Sequence, residues 1–437
     1  MKIEELFFQL LQVAVGDRNT LDRMPSTEEW VALFDLAKKQ ALVAIAVTGV
    51  TRLIYSIGSR AEESDFGASI GMDEVTYLKW LGLTAKVVQR NKELNTECDR
   101  ICKELAHDGL NCVVIKGQGN QVYYPEELRE FRTAGDIDVW CQPMDPCGMD
   151  IPVMDLDGRG AHYEKYVGNR GVIEYAHLQH RILNEQLRHE GKKEVLMPEV
   201  CYHHTTLPEE TWGDVELHYR PSFDNVPLVN WRMQRWFREN EQWGMETYAP
   251  AEGLRIPVPT VSFNAVYQMI HIYRHLFHDG IGLRQLLDYY FVLRSLHVAQ
   301  GEFADATPSM SQWAEGMGRG VRSNEEIMRT LSRFGMKEFA SAVMYVLQKV
   351  FAMPTEYMLC EPDERRGCFL LNEIMLAGNF GEYDERNTIS AHEGYVSRFL
   401  RRQKRFLRFI TQYPSEVIWG PYFSIKQRLW RMAHGWR

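Results

Sequence analysis

The first ninety residues carry apolar positions at helical spacing. Trp30, Val31, Leu33, Phe34, Leu36 and Ala37 recur three and four apart behind Ser26-Thr27-Glu28-Glu29, which predicts a helix capped by Ser26 or Thr27. A polar, glycine-containing stretch over residues 58–71 reads as a loop. Residues 74–109 read as a long amphipathic helix that ends near Asp108-Gly109. The period then shortens to two. Val113-Val114-Ile115 is an apolar strand, and the run Gly135-Asp136-Ile137-Asp138-Val139-Trp140 alternates. In Trp212-Gly213-Asp214-Val215-Glu216-Leu217-His218-Tyr219, Val215, Leu217 and Tyr219 fall on one face and Asp214, Glu216 and His218 on the other. Residues 141–152 read as turn-rich, 162–190 as helical, 201–207 as a strand, 208–210 as a turn and 211–220 as the next strand. Residues 221–258 read as irregular, and from about residue 260 the chain reads as helical to its end. The pattern predicts an α+β fold with an antiparallel or mixed sheet and helices packed on it.

Length changes the picture by allowing two or three domains: the chain has 437 residues. The expected division is a helical region over 1–90, a sheet-containing core over 91–258 and a helical domain over 259–437. Hydrophobic content of 45% and charged content of 25% are ordinary for a soluble globular protein. The net charge of −9 argues against a surface that binds nucleic acid throughout. Charge is uneven, however. Residues 398–437 hold ten Lys/Arg and the single acid Glu416, a net +9 that leaves −18 on the remainder. Leu6-Phe7-Phe8-Gln9-Leu10-Leu11 follows Glu4 and Glu5, where a signal peptide would carry positive charge. No apolar run reaches transmembrane length, so the expected location is cytoplasmic. The eight cysteines form no Cys-x-x-Cys, and a disulfide framework is not expected. Cys98 and Cys102 lie one helical turn apart and read as thiols rather than ligands.

The chemistry concentrates in three places. Asp136 and Asp138 are two apart on a predicted strand and so project side by side. Like charges that close call for a cation between them, and hard oxygen donors suit Mg²⁺ or Mn²⁺. Upstream, an apolar strand runs into Lys116-Gly117-Gln118-Gly119 and a helical stretch. Glycines there let backbone amides approach an anion, and Lys116 adds a mobile cation. Downstream, Glu216 offers a third carboxylate. Arg132, four residues before Asp136, reads equally as a bidentate phosphate clamp and as an ion pair that fixes the Asp loop. His218 shares a face with Glu216 and reads equally as a ligand-orienting group and as a structural histidine.

In this order, Ile115-Lys116-Gly117, Tyr124-Pro125, Arg132-Thr133-Ala134-Gly135-Asp136-Ile137-Asp138 and Glu216-Leu217-His218-Tyr219 resemble the motifs of the nucleotidyltransferase superfamily that includes DNA polymerase β. The closer likeness is to its bacterial branch called the uncharacterised nucleotidyltransferase family. The motifs span roughly residues 111–220, and a weaker likeness extends to residues 30–41 and 271–288. The chain departs from the wider superfamily at Gly117-Gln118, where Gly-Gly or Gly-Ser is usual, and at Glu216, where Asp is usual.

The resemblance implies a polymerase-β-like core flanked by helical N- and C-terminal regions. It also implies a two-metal transfer of a nucleoside monophosphate from an NTP, ATP by default, to an acceptor hydroxyl. Asp136, Asp138 and Glu216 would hold the metals, and Lys116, Gly117, Gln118, Arg132 and His218 the nucleotide. The acceptor is left open among a small molecule, a protein hydroxyl and an RNA end. Two alternatives stand beside it. One is a catalytically degenerate nucleotide-binding or regulatory protein, and the other is a metal-dependent phosphohydrolase, which an imidazole cluster beside the acids would favour. His271 and His275, four apart on one predicted helix face, have a spacing that zinc can use but read first as helix packing. Arg284 and Asp288 read first as an i,i+4 ion pair. The basic segment 398–437 reads first as amphipathic helix with a solvated basic face, and otherwise as a surface for an anionic partner such as RNA, a lipid headgroup or an acidic protein.

Overall fold

A computed structural model describes residues 2–56, 70–154, 161–240, 246–301, 321–387 and 394–436. The loop expected over 58–71 therefore lies outside the described residues except for Ile70 and Gly71. The N-terminal quarter is helical: α1 (Ile3–Val15), α2 (Thr27–Lys39), α3 (Val43–Ser56) and α4 (Glu74–His107). Ser26 caps α2 with a capping box. Its side chain accepts from the Glu29 amide, and Glu29 accepts from the Ser26 amide. Trp30, Leu33 and Ala37 are the residues that α2 buries. At the end of α4, Gly109 takes φ +86° and turns the chain into β1 (Leu110–Val114).

Beyond β1, a 3₁₀ turn covers Gly117–Tyr123, and the single-turn α5 (Glu126–Arg129) precedes β2 (Ile137–Pro143). β3 (Met149–Met154) and β4 (Ala161–Tyr166) form an antiparallel hairpin ahead of α6 (Asn169–His189). This corrects two expectations: the segment to residue 152 contains a strand, and the helix expected over 162–190 begins only at Asn169. Gly168, with φ +54°, separates the strand from the helix. β5 (His204–Thr206), the one-turn α7 (Glu209–Trp212) in place of the expected turn, and β6 (Val215–His218) follow.

The described residues of 221–258 are not irregular. They hold α8 (Pro227–Glu239) and the antiparallel pair β7 (Glu246–Tyr248) and β8 (Ile256–Val258). Pro227 occupies the first turn of α8, where a missing N–H costs nothing. From α9 (Val261–His278) and α10 (Leu283–Ala299) onward, the described elements are all helical. No described helix is long and apolar enough to cross a membrane.

These elements form two compact units. The first comprises residues 1–92, 123–134 and 261–412 and is helical. Its core brings α1 onto α3 and onto the helix Lys337–Phe351, and α9 onto α10. A buried ion pair in it joins Arg132 to Asp288, with both side chains 4% exposed.

The second unit comprises residues 93–122, 135–260 and 413–437 and contains the sheet. Strand order is β1-β2-β6-β5. β1 runs antiparallel to β2, β2 parallel to β6, and β6 antiparallel to β5. One face is apolar: Val139, Cys141, Val215 and Leu217 are buried. Cys112, on that side, lies against the Cys102 carbonyl of α4. Burial pushes the Cys98 thiol up, and a hydrogen bond with Cys112 together with burial does the same for Cys102. Both thiols stay protonated, as expected of core cysteines. All eight cysteines are free.

The basic C-terminal segment divides between the units. In the first, Arg405 is buried and donates to the Leu276 carbonyl, and Arg408 pairs with Asp384. In the second, the helix Pro414–Ala433 buries Val417, Gly420 and Phe423, and the buried Glu416 accepts from Asn225. Its outer face exposes Ile418, Tyr422, Ile425, Leu429 and Met432. That face is more apolar than the solvated basic surface expected from sequence.

The second unit also carries a half-buried acid that opposes folding in base. Burial raises Glu246 in β7 to about 7, against ~4.3 for a free carboxyl. Protonated Glu246 is thus favoured by folding. Its contribution is complete below the unfolded pKa and is lost as pH rises through the folded one. Glu246→Gln is expected to gain about 1–2 kcal/mol over wild type at pH 8 after allowance for water access, and close to nothing at pH 4. Urea unfolding at the two pH values checks this, and an equal effect at both would remove the electrostatic cause.

Candidate metal and nucleotide centre

The polar face of the sheet is assembled by register. Asp138 pairs with Glu216 across the parallel strands, Trp140 pairs with His218, and His218 pairs with His204 across β6 and β5. Because i and i+2 share a face, Asp138, Glu216, His218 and His204 rise from neighbouring positions. Asp136 precedes β2 by one residue and Asp214 precedes β6 by one. The Ile137 amide donates to the Asp214 carbonyl at 3.1 Å, so the two acids stand at the head of the same strand pair.

The contacts within this face are ionic. Lys116 Nζ lies 2.7 Å from Asp138 Oδ1, and His218 Nε2 lies 2.9 Å from the same oxygen. Glu216 Oε2 lies 3.4 Å from His218 Nε2 and 3.3 Å from His204 Nδ1. His203, just before β5, brings its Nε2 to 3.1 Å from His204 Nδ1. Asp138 is 1% exposed and Glu216 28%, so the face is closed at Asp138 and open at Glu216.

Charge balance follows from this packing. Burial would raise Glu216, but the hydrogen bond with His218 and the charges of His204, His218 and Lys116 hold it down to about 2. Asp138 is likewise lowered: burial opposes ionisation, and Lys116 and then His218 outweigh it. His204 is lowered to about 4, chiefly by burial, and stands as neutral imidazole near pH 7. Asp214 is raised by burial and then by the charges of Asp136 and Glu216. Four carboxylates thus crowd one end of the strand pair, and burial beside the other acids pushes Asp214 toward its acid form.

The turn after β1 has a structural requirement of its own. Gly117 takes φ +57°, and a Cβ on it would meet the Asp136 carbonyl at 3.3 Å. A Cβ on Gly119 would lie 2.1 Å from the Val114 carbonyl, so only glycine fits. The helical stretch expected behind these glycines is the 3₁₀ segment Gly117–Tyr123 rather than an α-helix, which weakens the argument for a helix dipole at a phosphate. Gln118 is 1% exposed and its amide donates to Asn95.

The structure therefore brings together Lys116, Asp138, Glu216 and His218, with Asp136 and Gly117 adjoining. Arg132 lies in the helical unit, where it grips Asp288 with two nitrogens at 2.7 and 2.8 Å. Tyr124 also donates to Asp288, and Arg284 reaches the Thr133 and Ala134 carbonyls. On α9, His275 pairs with Asp279, and His271 lies against the rings of Tyr267 and His275. Sequence reasoning passed over His203, His204 and, as a site residue, Asp214. Asp214 was visible on the polar face of its strand. The two histidines enter through the β5–β6 register, which no local pattern encodes.

Among the described residues, two groups are close enough to hold a metal ion, Asp138-Glu216-His218 and His203-His204-His218. The family described as uncharacterised nucleotidyltransferase matches residues 26–307. No curated protein and no solved structure matches the chain significantly.

Proposed function

Since the chain belongs to the uncharacterised nucleotidyltransferase family, we propose that it transfers a nucleoside monophosphate from an NTP, ATP by default, to an acceptor hydroxyl. The observation that carries this reading is the register of Asp138 beside Glu216 on parallel strands, with Lys116 2.7 Å from Asp138. Two carboxylates that each draw cationic or imidazole nitrogen onto one oxygen fit a divalent cation, and their hard oxygens fit Mg²⁺ or Mn²⁺. Asp138 and Glu216 would hold it, with Asp136 at the open edge. Bound there, the ion would neutralise phosphate charge and ease ionisation of the acceptor hydroxyl.

The chain's own groups account for the rest. Lys116, released from Asp138, would turn to the triphosphate, and the amides of the Gly117 turn would face it. The acceptor oxygen bonds to the α-phosphorus as the bond from that phosphorus to the bridging oxygen of the β-phosphate breaks. Pyrophosphate leaves, and the hydroxyl proton passes to water at the open side of Glu216. The acceptor class stays open among a small molecule, a protein hydroxyl and an RNA end.

A second reading draws support from the imidazoles. With His203, His204 and His218 beside the acids, the same centre suits a phosphohydrolase in which water replaces the acceptor. A degenerate nucleotide-binding protein is the third reading, and the buried Gln118 amide favours it. Calorimetric titration of each NTP with Mg²⁺ or Mn²⁺ into wild type and into Asp136→Ala/Asp138→Ala separates them. Metal-dependent binding that the double variant loses, with α-labelled NTP passing label to an acceptor and releasing pyrophosphate, is the expected result. Release of nucleoside monophosphate with pyrophosphate, and no label on any acceptor, would select the hydrolase. No binding of any NTP to wild type would sink both enzyme readings.

A further inference from the structure

We propose that His203, His204 and His218, closed by Glu216, form a site for a transition-metal ion of the zinc class beside the oxygen site on Asp138, with Glu216 the carboxylate common to both. The first argument is donor spacing. Two ligands bound at ~2.0–2.1 Å to one tetrahedral ion stand about 3.3 Å apart. His203 Nε2 to His204 Nδ1 is 3.1 Å, His204 Nδ1 to Glu216 Oε2 is 3.3 Å, and a ring nitrogen of His218 falls within 4.8 Å of those of both other histidines.

Proton counting gives the second argument. His204 Nδ1 is approached at once by His203 Nε2 and by Glu216 Oε2. It carries at most one hydrogen, so it cannot make a full hydrogen bond to each. A cation shared by all three takes one lone pair from each of these atoms and needs no proton between them.

His218 supplies the third argument. Its Nε2 faces Asp138 at 2.9 Å and Glu216 at 3.4 Å, while its Nδ1 is buried and has no hydrogen-bond partner among the described residues. A metal-bound imidazole is held in this way, one nitrogen on the ion and the other donating to a carboxylate. Three imidazoles and one carboxylate select a borderline ion over Mg²⁺, which takes oxygen. The bound ion would tie β5 to β6 directly beside Asp138 and Glu216.

The test uses the full chain stripped by chelator and then given Zn²⁺ alone, with millimolar Mg²⁺ as competitor. One zinc per chain is expected by calorimetry and by elemental analysis after desalting. Co²⁺ in its place is expected to give the visible absorption of a four- or five-coordinate, nitrogen-bound ion. His203→Ala/His204→Ala is expected to weaken zinc binding by more than about 100-fold, the upper range for loss of a mere supporting residue. Asp136→Asn is expected to retain it. Circular dichroism establishes that each variant is folded, and the single variants His203→Gln and His204→Gln serve if the double variant is not. No zinc on wild type overturns the proposal. So does zinc that survives the histidine variants, because the ion would then sit on the carboxylates. The outcome is separate from NTP binding: zinc without nucleotide binding leaves this site and removes the transferase, and nucleotide without zinc binding does the reverse.

Discussion

Asp138→Asn is expected to lower the affinity for Mg²⁺·ATP by more than about 100-fold, beyond what loss of a supporting residue costs a metal site. Asparagine keeps the shape and one carbonyl oxygen but removes the charge. Asp138 Oδ1 is where Lys116 and His218 both converge, so that oxygen is the focus of the field in this face. With the charge gone, Lys116 and His218 face one another across a neutral amide, and a divalent cation loses one of its two buried-side carboxylate ligands. The variant should also lose about 1–3 kcal/mol of folding stability. Breaking a fully buried pair costs ~3–5 kcal/mol, but Lys116 is 14% exposed and can turn partly to water. Calorimetry on the folded variant separates the two effects. Unchanged nucleotide affinity would mean that the ion and phosphates bind elsewhere.

Asp288→Ala is expected to be the more damaging change to folding, at roughly 3–5 kcal/mol. Asp288 accepts from Arg132 Nε and Nη2 and from the Tyr124 hydroxyl. Its removal leaves a guanidinium that is 4% exposed with its main counter-charge gone, and arginine does not shed its proton to escape. Arg132→Met/Asp288→Leu should recover most of the loss, because two apolar side chains leave no charge uncompensated. Urea midpoints at pH 7 for the wild type, Arg132→Met, Asp288→Leu and the double variant complete the cycle, with Asp288→Ala measured beside them. A loss below about 1 kcal/mol in Asp288→Ala would mean that water reaches the guanidinium.

The carboxylates were legible because their signal is local. Alternation over four or five residues assigns a face to Asp138 and Glu216, and their choice as candidate ligands with Asp136 rested also on the order of the family's motifs. Ser26 was legible as a cap for the same reason, since its partner Glu29 is three residues away. What alternation leaves open is which strand lies beside which. His203 and His204 joined the centre through the pairing of β5 with β6, and Arg132 found Asp288 at a separation of 156 residues. Neither partner leaves a trace in the flanking sequence. The misread elements share a cause. The segment 221–258 was read as irregular although Pro227 starts α8 there, and the short strand β4 was absorbed into the longer helical pattern behind it.

The parallel pairing of β2 with β6 also dictates when the centre can come into being. Antiparallel neighbours close through a short turn, but a parallel pair requires the chain to travel back across the sheet first. Here Asp138 and His218 are 80 residues apart, with the hairpin β3–β4, α6 and β5 between them. A nascent chain that has emerged only to residue 200 already contains Lys116, Gly117, Asp136 and Asp138, yet none of the groups that face Asp138 from β6. Closing a loop of that length is an entropic cost met before any contact rewards it. The centre is therefore a late product of folding, and the half made first must remain soluble with its buried acid still waiting for a partner.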